Sequence, residues 1–340
     1  MLRALPPSWY DDRLDGAADR DRVFARHWQL VGHLSQWPEV GSSLNTVLGK
    51  VPIIVTRTAT GFQGVQAICR HRAGPLEACS NGGRRFLRCL YHGWSYELDG
   101  RLIHAPEMAG ATGFDPRDIR LPAIEMATAL GLVFARLSAG PSTLADHLTG
   151  ICERLARSGH DLTALQFDRR VSYDIDCNWK VYVDNYLEGY HVPAVHPGLN
   201  SVLDYRSYTT ELSRWHSLQS SPLESTPDLY GQGEALYYFI YPNTMLNVLP
   251  GRLQTNRVLP LPHNRCRVEF EFFYLRPTDA DRCERDRQFS DEIQREDISI
   301  CEAVQRNLDS GAYEAGPLNP TRESGLAHFH DLLRADRSAP

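Results

Sequence analysis

The pattern of hydrophobic and polar positions changes near residue 40 and again near residue 140. Before the first change, Val23, Phe24, His27 and Trp28 form a stripe with the period of a helix, which predicts a helix over residues 17–30. Short alternating runs separated by Gly-rich turns then predict a small all-β domain. Its predicted strands are 51–56, 63–69, 86–89, 95–98 and 132–137.

After the second change, helical periods return. Residues 143–158 predict a helix, residues 171–176 a strand, and residues 282–309 the longest helix of the chain. Apolar residues alternate with mostly charged ones between Val268 and Tyr274, which predicts a strand with one packed face. The second half is therefore predicted to be α+β, an antiparallel sheet packed on helices.

The length of 340 residues suggests roughly two domains. The predicted divisions are an N-terminal helical segment at 1–37, a first domain at 38–142 and a second domain at 143–340. A net charge of −6 argues against a nucleic-acid-binding surface. Apolar runs are too short for a membrane-spanning helix and no signal peptide is evident, so we expect a cytoplasmic protein without a membrane partner.

Two cysteine–histidine pairs stand 17 residues apart, Cys69-x-His71 and Cys89-x-x-His92. Two thiolates suit one iron of a [2Fe–2S] cluster and two imidazoles suit the other, which is the ligand set of a Rieske centre. The alternative is a Cys₂His₂ zinc site, but zinc motifs usually place like ligands together as C-x-x-C and H-x₃₋₅-H. We therefore interpret the four residues as ligands of a Rieske cluster.

A second motif lies on both sides of Pro193. A helix is predicted to begin at residue 178 and to end at this proline. Asp184, Glu188 and His191 are spaced i, i+4, i+7 and would share one face of that helix. His196 follows the break, where a bent chain could return it to the same point. Two imidazoles and one carboxylate form the facial triad of non-haem Fe(II) oxygenases, which leaves metal positions open.

The carboxylate of this triad has several candidates. Asp297 is the one acid within an apolar stripe of the long predicted helix, and an acid on a core face is costly unless it is paired or binds a metal. Asp297 could instead pair with a buried arginine, and Asp184 or Glu188 could be the ligand. We favour Asp297 as the third iron ligand.

With these motifs in place, the chain resembles the catalytic α subunits of the Rieske non-haem iron oxygenases, the aromatic-ring-hydroxylating dioxygenase family. The matching motifs are Cys69-Arg-His-Arg-Ala73, Cys89-Leu-Tyr-His-Gly-Trp94, Glu188-x₂-His191-x₄-His196 and Glu296-Asp297-Ile298. The common form of the iron motif begins with Asp. With Glu188 at that position, the chain is similar to the branch of the family that contains choline monooxygenase, carnitine oxygenase and glycine-betaine demethylases.

The resemblance implies an all-β Rieske [2Fe–2S] domain followed by a helix-grip (START/Bet v1-like) catalytic domain. It further implies one [2Fe–2S] cluster and one Fe(II) per subunit, a homotrimeric ring, and NAD(P)H electrons delivered by a separate flavin and iron–sulfur reductase, with or without a ferredoxin. A carboxylate in this family bridges a cluster histidine to an iron histidine across the subunit interface. Here Glu188 would link His92 to His191, and Asp184 would support it or take its place as the bridging carboxylate.

The branch implies O₂-dependent oxidation or N-demethylation of a quaternary ammonium compound, and cation–π contacts would hold such a substrate. The candidate aromatic residues are Tyr182, Tyr190, Trp215, Tyr237, Phe239 and Tyr241, with sheet core as their alternative role. Oxygenation of an aromatic ring or aromatic acid is the alternative activity. A simple Rieske electron carrier is disfavoured, because such a protein would not need the iron motif that this chain also contains.

Overall fold

The computed structural model describes residues 1–81, 84–223, 230, 232–276 and 279–338. The chain divides into two units: Gln29–Gly140, and Met1–Trp28 together with Pro141–Pro340. The strand that starts at Gln29 belongs to the first of these units, whereas the sequence predicted an N-terminal segment as far as residue 37. The predicted domain boundaries themselves stay a prediction. None of the described helices combines the length and the apolar character needed to cross a membrane.

Within its described residues, the unit Gln29–Gly140 has ten strands in two antiparallel sheets. The strands are β1 (Gln29–His33), β2 (Ser43–Leu48), β3 (Val51–Thr58), β4 (Gly61–Gln66), β5 (Leu76–Asn81), β6 (Arg84–Cys89), β7 (Ser95–Tyr96), β8 (Leu102–His104), β9 (Ala123–Ala129) and β10 (Leu132–Arg136). One sheet has the order β1-β10-β9-β4-β3-β2, and the other has the order β5-β6-β7-β8. The second sheet carries the two cysteine–histidine loops at its strand ends.

Each sheet of this unit covers an apolar core. Val31, Trp37 and Ile53 are fully buried on the six-stranded sheet, where the Trp37 indole donates to the carbonyl of Val55 at 3.1 Å. Leu87 and Tyr96 are fully buried on the four-stranded sheet. The predicted all-β domain is thereby confirmed.

The other unit is α+β, as the sequence predicted. Its helices are α1 (Asp12–Ala18), α2 (Leu144–His147), α3 (Ile151–Arg157), α4 (Trp179–Tyr186), α5 (Val192–Val195), α6 (Pro197–Asn200), α7 (Ala280–Asp309) and α8 (Ser324–Ser338). Its strands are β11 (Leu165–Ile175), β12 (Thr209–Leu212), β13 (His216–Pro222), β14 (Glu234–Ile240), β15 (Thr244–Leu249), β16 (Arg252–Leu261) and β17 (Arg265–Leu275). These strands form one antiparallel sheet in the order β11-β17-β16-β15-β14-β13-β12.

The sheet packs on helices through the alternating residues of β17. Val268, Phe270, Phe272 and Tyr274 are all buried in the core that β17 shares with α4, α7 and α8. The opposite face of β17 is more buried than predicted. Glu271 is buried there and accepts two hydrogen bonds from Arg170 of β11 at 2.5 and 2.8 Å.

Three predicted helices have different bounds in the structure. The helix predicted over 17–30 is wrong at its C-terminal end, because residues 29–33 form a strand whose positions are all buried. The helical stripe ends at Trp28, and neither Gln29 nor Leu30 is a Gly, Pro, Asn or Asp that would mark the change from helix to strand. The helix predicted over 143–158 is interrupted at Gly150, which has φ +82°.

The helix predicted to run to Pro193 ends earlier, at Tyr186. Beyond it, Gly189 passes so close to Tyr208 that a Cβ at this position would lie 2.7 Å from the ring. A continuous helix with a side chain at position 189 could not make that approach. The iron motif is therefore carried by a turn and the short helix α5, and not by one helical face.

Candidate metal centres

The two cysteine–histidine loops have the same backbone geometry. The carbonyl of Cys69 accepts a hydrogen bond from the amide of Ala73, and the carbonyl of Cys89 accepts one from Gly93, both at 3.1 Å. The residue that closes each loop has a positive φ, +53° at Ala73 and +73° at Gly93. Each loop thus turns one thiol and one imidazole in the same direction.

The side chains of the loops converge. Cys69 and Cys89 are buried, and the hydroxyl of Tyr96 lies 3.1 Å from Cys69 Sγ. The rings of His71 and His92 are 4.7 Å apart between centroids, and His71 stacks on Trp94 at 4.8 Å. Burial raises the pKa of the Cys69 thiol, as expected for a site whose thiolate needs a metal charge beside it.

Gly74 leaves the space that a cluster would need beside Cys89. A Cβ at Gly74 would lie 2.7 Å from Cys89 Sγ, so a larger residue would crowd the sulfur. Two buried thiols and two adjacent imidazoles fit the mixed ligand set of a Rieske [2Fe–2S] cluster.

Replacing Cys69 by alanine is expected to abolish the visible absorption of the cluster, since a thiolate ligand is lost. Cys79→Ala provides the control, because Cys79 lies between the two loops in sequence but on β5. The absorption spectra of the purified variants check this prediction. A normal cluster spectrum from Cys69→Ala would contradict the ligand assignment.

The iron motif and the long helix α7 bring three ligand atoms together. One nitrogen of His191, one nitrogen of His196 and a carboxylate oxygen of Asp297 all lie within 4.8 Å of one another. Nε2 of His196 is 3.0 Å and Nε2 of His191 is 3.8 Å from Oδ1 of Asp297. These three residues could hold one metal ion on a single face, the arrangement of a facial triad.

A carboxylate fixes the outer nitrogen of each imidazole. Glu188 lies 2.6 Å from Nδ1 of His191, and Glu296 lies 2.6 Å from Nδ1 of His196. Such contacts select the tautomer that leaves Nε2 for the metal. Burial disfavours the charged form of His196, but its contacts with Asp297 and Glu296 outweigh burial and raise its pKa.

Two further contacts hold this arrangement in place. The amide of Asn185, in the last turn of α4, donates to Oδ1 of Asp297 at 2.6 Å. The backbone amide of His191 donates to Glu188 Oε2 at 3.0 Å, so Glu188 holds both the ring and the backbone of that histidine.

Asp184, one of the candidate ligands, is engaged elsewhere. Its carboxylate accepts a hydrogen bond from the hydroxyl of Tyr10 at 2.5 Å and lies 3.0 Å from Nε2 of His330. Together with Glu188 and His191, these residues line a cavity of about 480 Å³. This geometry favours Asp297 over Asp184 as the third metal ligand.

A second cavity, of about 130 Å³, contains the three ligand residues in its wall. We call it the iron cavity. Its aromatic residues are Tyr182, Tyr186, Tyr208, Tyr230, Tyr237, Phe270 and Phe289. Its polar residues include Gln219, Asn247, Arg252, Gln254, Asn256 and Gln294. The wall is thus rich in aromatic faces and carries neutral amide groups together with the guanidinium of Arg252.

Two of the six aromatic residues predicted to contact substrate line the iron cavity, Tyr182 and Tyr237. The other four are not among the residues that line it, and a role in substrate binding stays a prediction for all six. Tyr190 is 54% exposed, and Trp215 stacks on His147. Phe239 packs in the core against Phe329 of α8, and the hydroxyl of Tyr241, which follows β14, donates to Asp336 of α8.

Sequence reasoning missed Glu296 as a partner of His196, although its position beside Asp297 was a usable signal. It also missed Tyr208, Tyr230 and Phe289, which lie far apart in sequence and meet in one apolar cluster at the cavity. No local pattern distinguishes these aromatic residues from ordinary core.

A β unit with two cysteine–histidine loops, in one chain with a sheet and helices that bring two histidines and an aspartate together, defines a Rieske-type oxygenase. Residues 27–121 match the Rieske [2Fe-2S] domain, and residues 162–336 match the ring hydroxylating alpha subunit (catalytic domain). The chain belongs to this family of Rieske oxygenase α subunits. Its cofactors are a [2Fe–2S] cluster and a mononuclear iron, and it needs a separate reductase.

Several known proteins are similar over almost the whole chain. A chloroplastic choline monooxygenase of Arabidopsis thaliana is 37% identical over 96% of this chain and 81% of its own length. The carnitine monooxygenase oxygenase subunit of Escherichia coli (strain K12) is 26% identical over 97% of this chain and 92% of its own. A quaternary ammonium Rieske monooxygenase structure has a TM-score of 0.88 at 22% identity, covering 98% and 95% of the two chains, which establishes the shared fold.

Proposed function

We propose that this chain oxidises a quaternary ammonium compound with O₂ and with electrons that a reductase draws from NAD(P)H. The observation that carries this proposal is an iron cavity whose wall holds seven aromatic residues together with the candidate iron ligands. Each aromatic face that contacts a cationic nitrogen contributes about 0.5–2 kcal/mol. The similarity to choline and carnitine monooxygenases supports the same substrate class.

We assign the metal ligands from the geometry described above. Two ligand sets follow: Cys69, His71, Cys89 and His92 for the [2Fe–2S] cluster, and His191, His196 and Asp297 for the iron. When bound, the iron supplies the activation of O₂ for attack on a C–H bond. The protein fixes the imidazoles through Glu188 and Glu296, and the aromatic wall holds the cation and excludes water.

The reaction consumes one O₂, two electrons and two protons for each C–H bond hydroxylated, and it releases one water. Hydroxylation of an N-methyl group would give a hemiaminal, which breaks its C–N bond to release formaldehyde and the demethylated amine. Hydroxylation of an alcohol carbon would give an aldehyde hydrate. Both products are distinct from a hydroxylated aromatic ring, the alternative considered from the sequence.

We further propose that the subunits form a homotrimer in which Glu188 bridges its own His191 to the cluster of a neighbouring subunit. The short contacts between Glu188 and His191 support the iron half of this bridge. A flavin and iron–sulfur reductase would supply the electrons. The cytoplasmic location stays a prediction, since the names of the plant relatives describe them as chloroplastic.

A single-turnover assay tests the proposed function. The enzyme with both metals is reduced without oxygen and then mixed with O₂ and one compound at a time. The panel contains choline, carnitine, glycine betaine and aromatic acids, and mass spectrometry detects the products. We expect an aldehyde or a demethylated amine from a quaternary ammonium compound. Product only from an aromatic acid would overturn the proposal.

A further inference from the structure

Gln294 lines the iron cavity with a buried amide group whose Nε2 has no protein partner. It is 1% exposed, and its Oε1 accepts a hydrogen bond from the hydroxyl of Tyr182 at 2.7 Å. Among the described residues that line this cavity, Gln294 is the one whose side chain has a buried polar atom, Nε2, without a hydrogen-bond partner. A buried donor of this kind costs free energy unless a ligand supplies the acceptor.

The position of Gln294 places this donor near the candidate iron site. Gln294 lies on α7, one turn before Asp297. Tyr182, its partner, has a raised pKa because it is buried and close to the Asp297 carboxylate. An acceptor bound to Nε2 would therefore sit in the same part of the cavity as the reacting carbon.

The cationic side chain in the cavity wall is already paired with a carboxylate. Arg252 is the one lysine or arginine among the described residues of the cavity wall, and its Nε donates to Asp286 at 2.6 Å. Asp286 also accepts hydrogen bonds from the hydroxyls of Tyr230 at 2.9 Å and Tyr274 at 2.6 Å, so its carboxylate is fixed beside Arg252. A second guanidinium nitrogen of Arg252 donates to Gln254 at 2.6 Å.

The charges around the cavity therefore favour a cation and disfavour an additional anion. Glu188 and Asp297 line the cavity, and Asp286 and Glu296 contact residues of its wall. These four carboxylates carry four negative charges, whereas Arg252 and a ferrous ion together would carry three positive charges. A substrate with a carboxylate would add a further negative charge without an unpaired cation to receive it.

We infer that the iron cavity selects a quaternary ammonium alcohol over a quaternary ammonium carboxylate, with Gln294 Nε2 donating a hydrogen bond to the hydroxyl oxygen. This inference rests on the proposed function and narrows its substrate class. Gln294 supplies the neutral donor for the hydroxyl. Arg252 is paired with Asp286 and is therefore not available to bind a substrate carboxylate.

Equilibrium binding to the metal-loaded enzyme, measured by calorimetry, tests the inference without requiring turnover. The ligands are choline, glycine betaine and tetramethylammonium, which share the cationic group and differ in the polar end. We expect choline to bind about tenfold more tightly than either of the others, the effect of one well-placed hydrogen bond. Glycine betaine binding as tightly as choline would overturn the inference and leave the proposed function standing.

Two variants separate the two parts of the argument. Gln294→Met keeps the length of the side chain but removes the donor, and it should weaken choline about tenfold while changing tetramethylammonium by less than about twofold. Equal losses for both ligands would show a general disturbance of the cavity and overturn the role of the donor. Asp286→Asn should strengthen glycine betaine about tenfold, because Arg252 then becomes available to a carboxylate.

The outcomes distinguish this inference from the function on which it rests. Unchanged or weaker binding of glycine betaine by Asp286→Asn would overturn the proposed charge selection. It would do so even if Gln294→Met failed to fold. Absence of binding by all three ligands would remove both the substrate class and the inference.

Discussion

Asp297→Ala is expected to release the mononuclear iron and abolish turnover while the cluster remains. Its Oδ1 lies 3.0 Å from Nε2 of His196 and 3.8 Å from Nε2 of His191, and Asn185 holds the carboxylate in that position. Iron content should fall from about three to about two atoms per subunit. Turnover should fall at least about a hundredfold, since even the outer partners of a metal ligand are worth about 10–100-fold.

The alternative role for Asp297 is that of an acid buried only for its hydrogen bonds. In that case Asp297→Ala would lower stability but keep three irons and measurable turnover. Asp291→Ala is the matched control on the same helix, since Asp291 pairs with Arg295 at 2.8 Å and accepts from Tyr173 at 2.9 Å. Metal analysis together with the visible spectrum distinguishes the two roles, and full iron content in Asp297→Ala would contradict the ligand assignment.

The sequence predicts best the parts of the site that depend only on the spacing of residues close together in the chain. The loops around Cys69 and Cys89 each close within five residues, so the sequence contains the whole turn. The long helix α7 was also predicted, because its apolar stripe continues over many turns. Asp297 was distinguishable as an acid within that stripe.

The parts that could not be predicted depend on contacts between distant segments. After α4 ends at Tyr186, Gly189 approaches Tyr208, which belongs to a later segment of the chain. The helical spacing that joined Asp184 to Glu188 was therefore misleading. Phe239 and Tyr237 alternate identically in sequence, and only the packing of α8 on the sheet separates core from cavity.

The two carboxylates that contact the iron-site histidines are chemically alike but differ in their surroundings. Glu188 and Glu296 each lie 2.6 Å from the Nδ1 of one iron-site histidine. Glu188 differs because it lines both the iron cavity and the cavity of about 480 Å³. A carboxylate shared by two cavities can contact a group on each side, which the proposed bridge requires.

Glu188→Gln should keep both metals and slow the transfer of the electron from cluster to iron by about 10–100-fold. The neutral amide retains the size of the side chain but loses the charge that strengthens its contact with His191. Stopped-flow absorption measures the rate directly. The reduced enzyme is mixed with substrate and O₂, and the recovery of the oxidised cluster spectrum is followed.

Glu296→Gln is the matched control, because it makes the same chemical change at the same distance from the other histidine. If the bridge runs through Glu188, cluster reoxidation in Glu296→Gln should stay within about threefold of the unmodified protein, below the range typical of lost outer contacts. Equal slowing in both variants would mean that each carboxylate tunes the iron and that neither marks the electron path. Normal reoxidation in Glu188→Gln would remove the bridging role, and the contacts of Glu188 with the ring and backbone of His191 would then be structural.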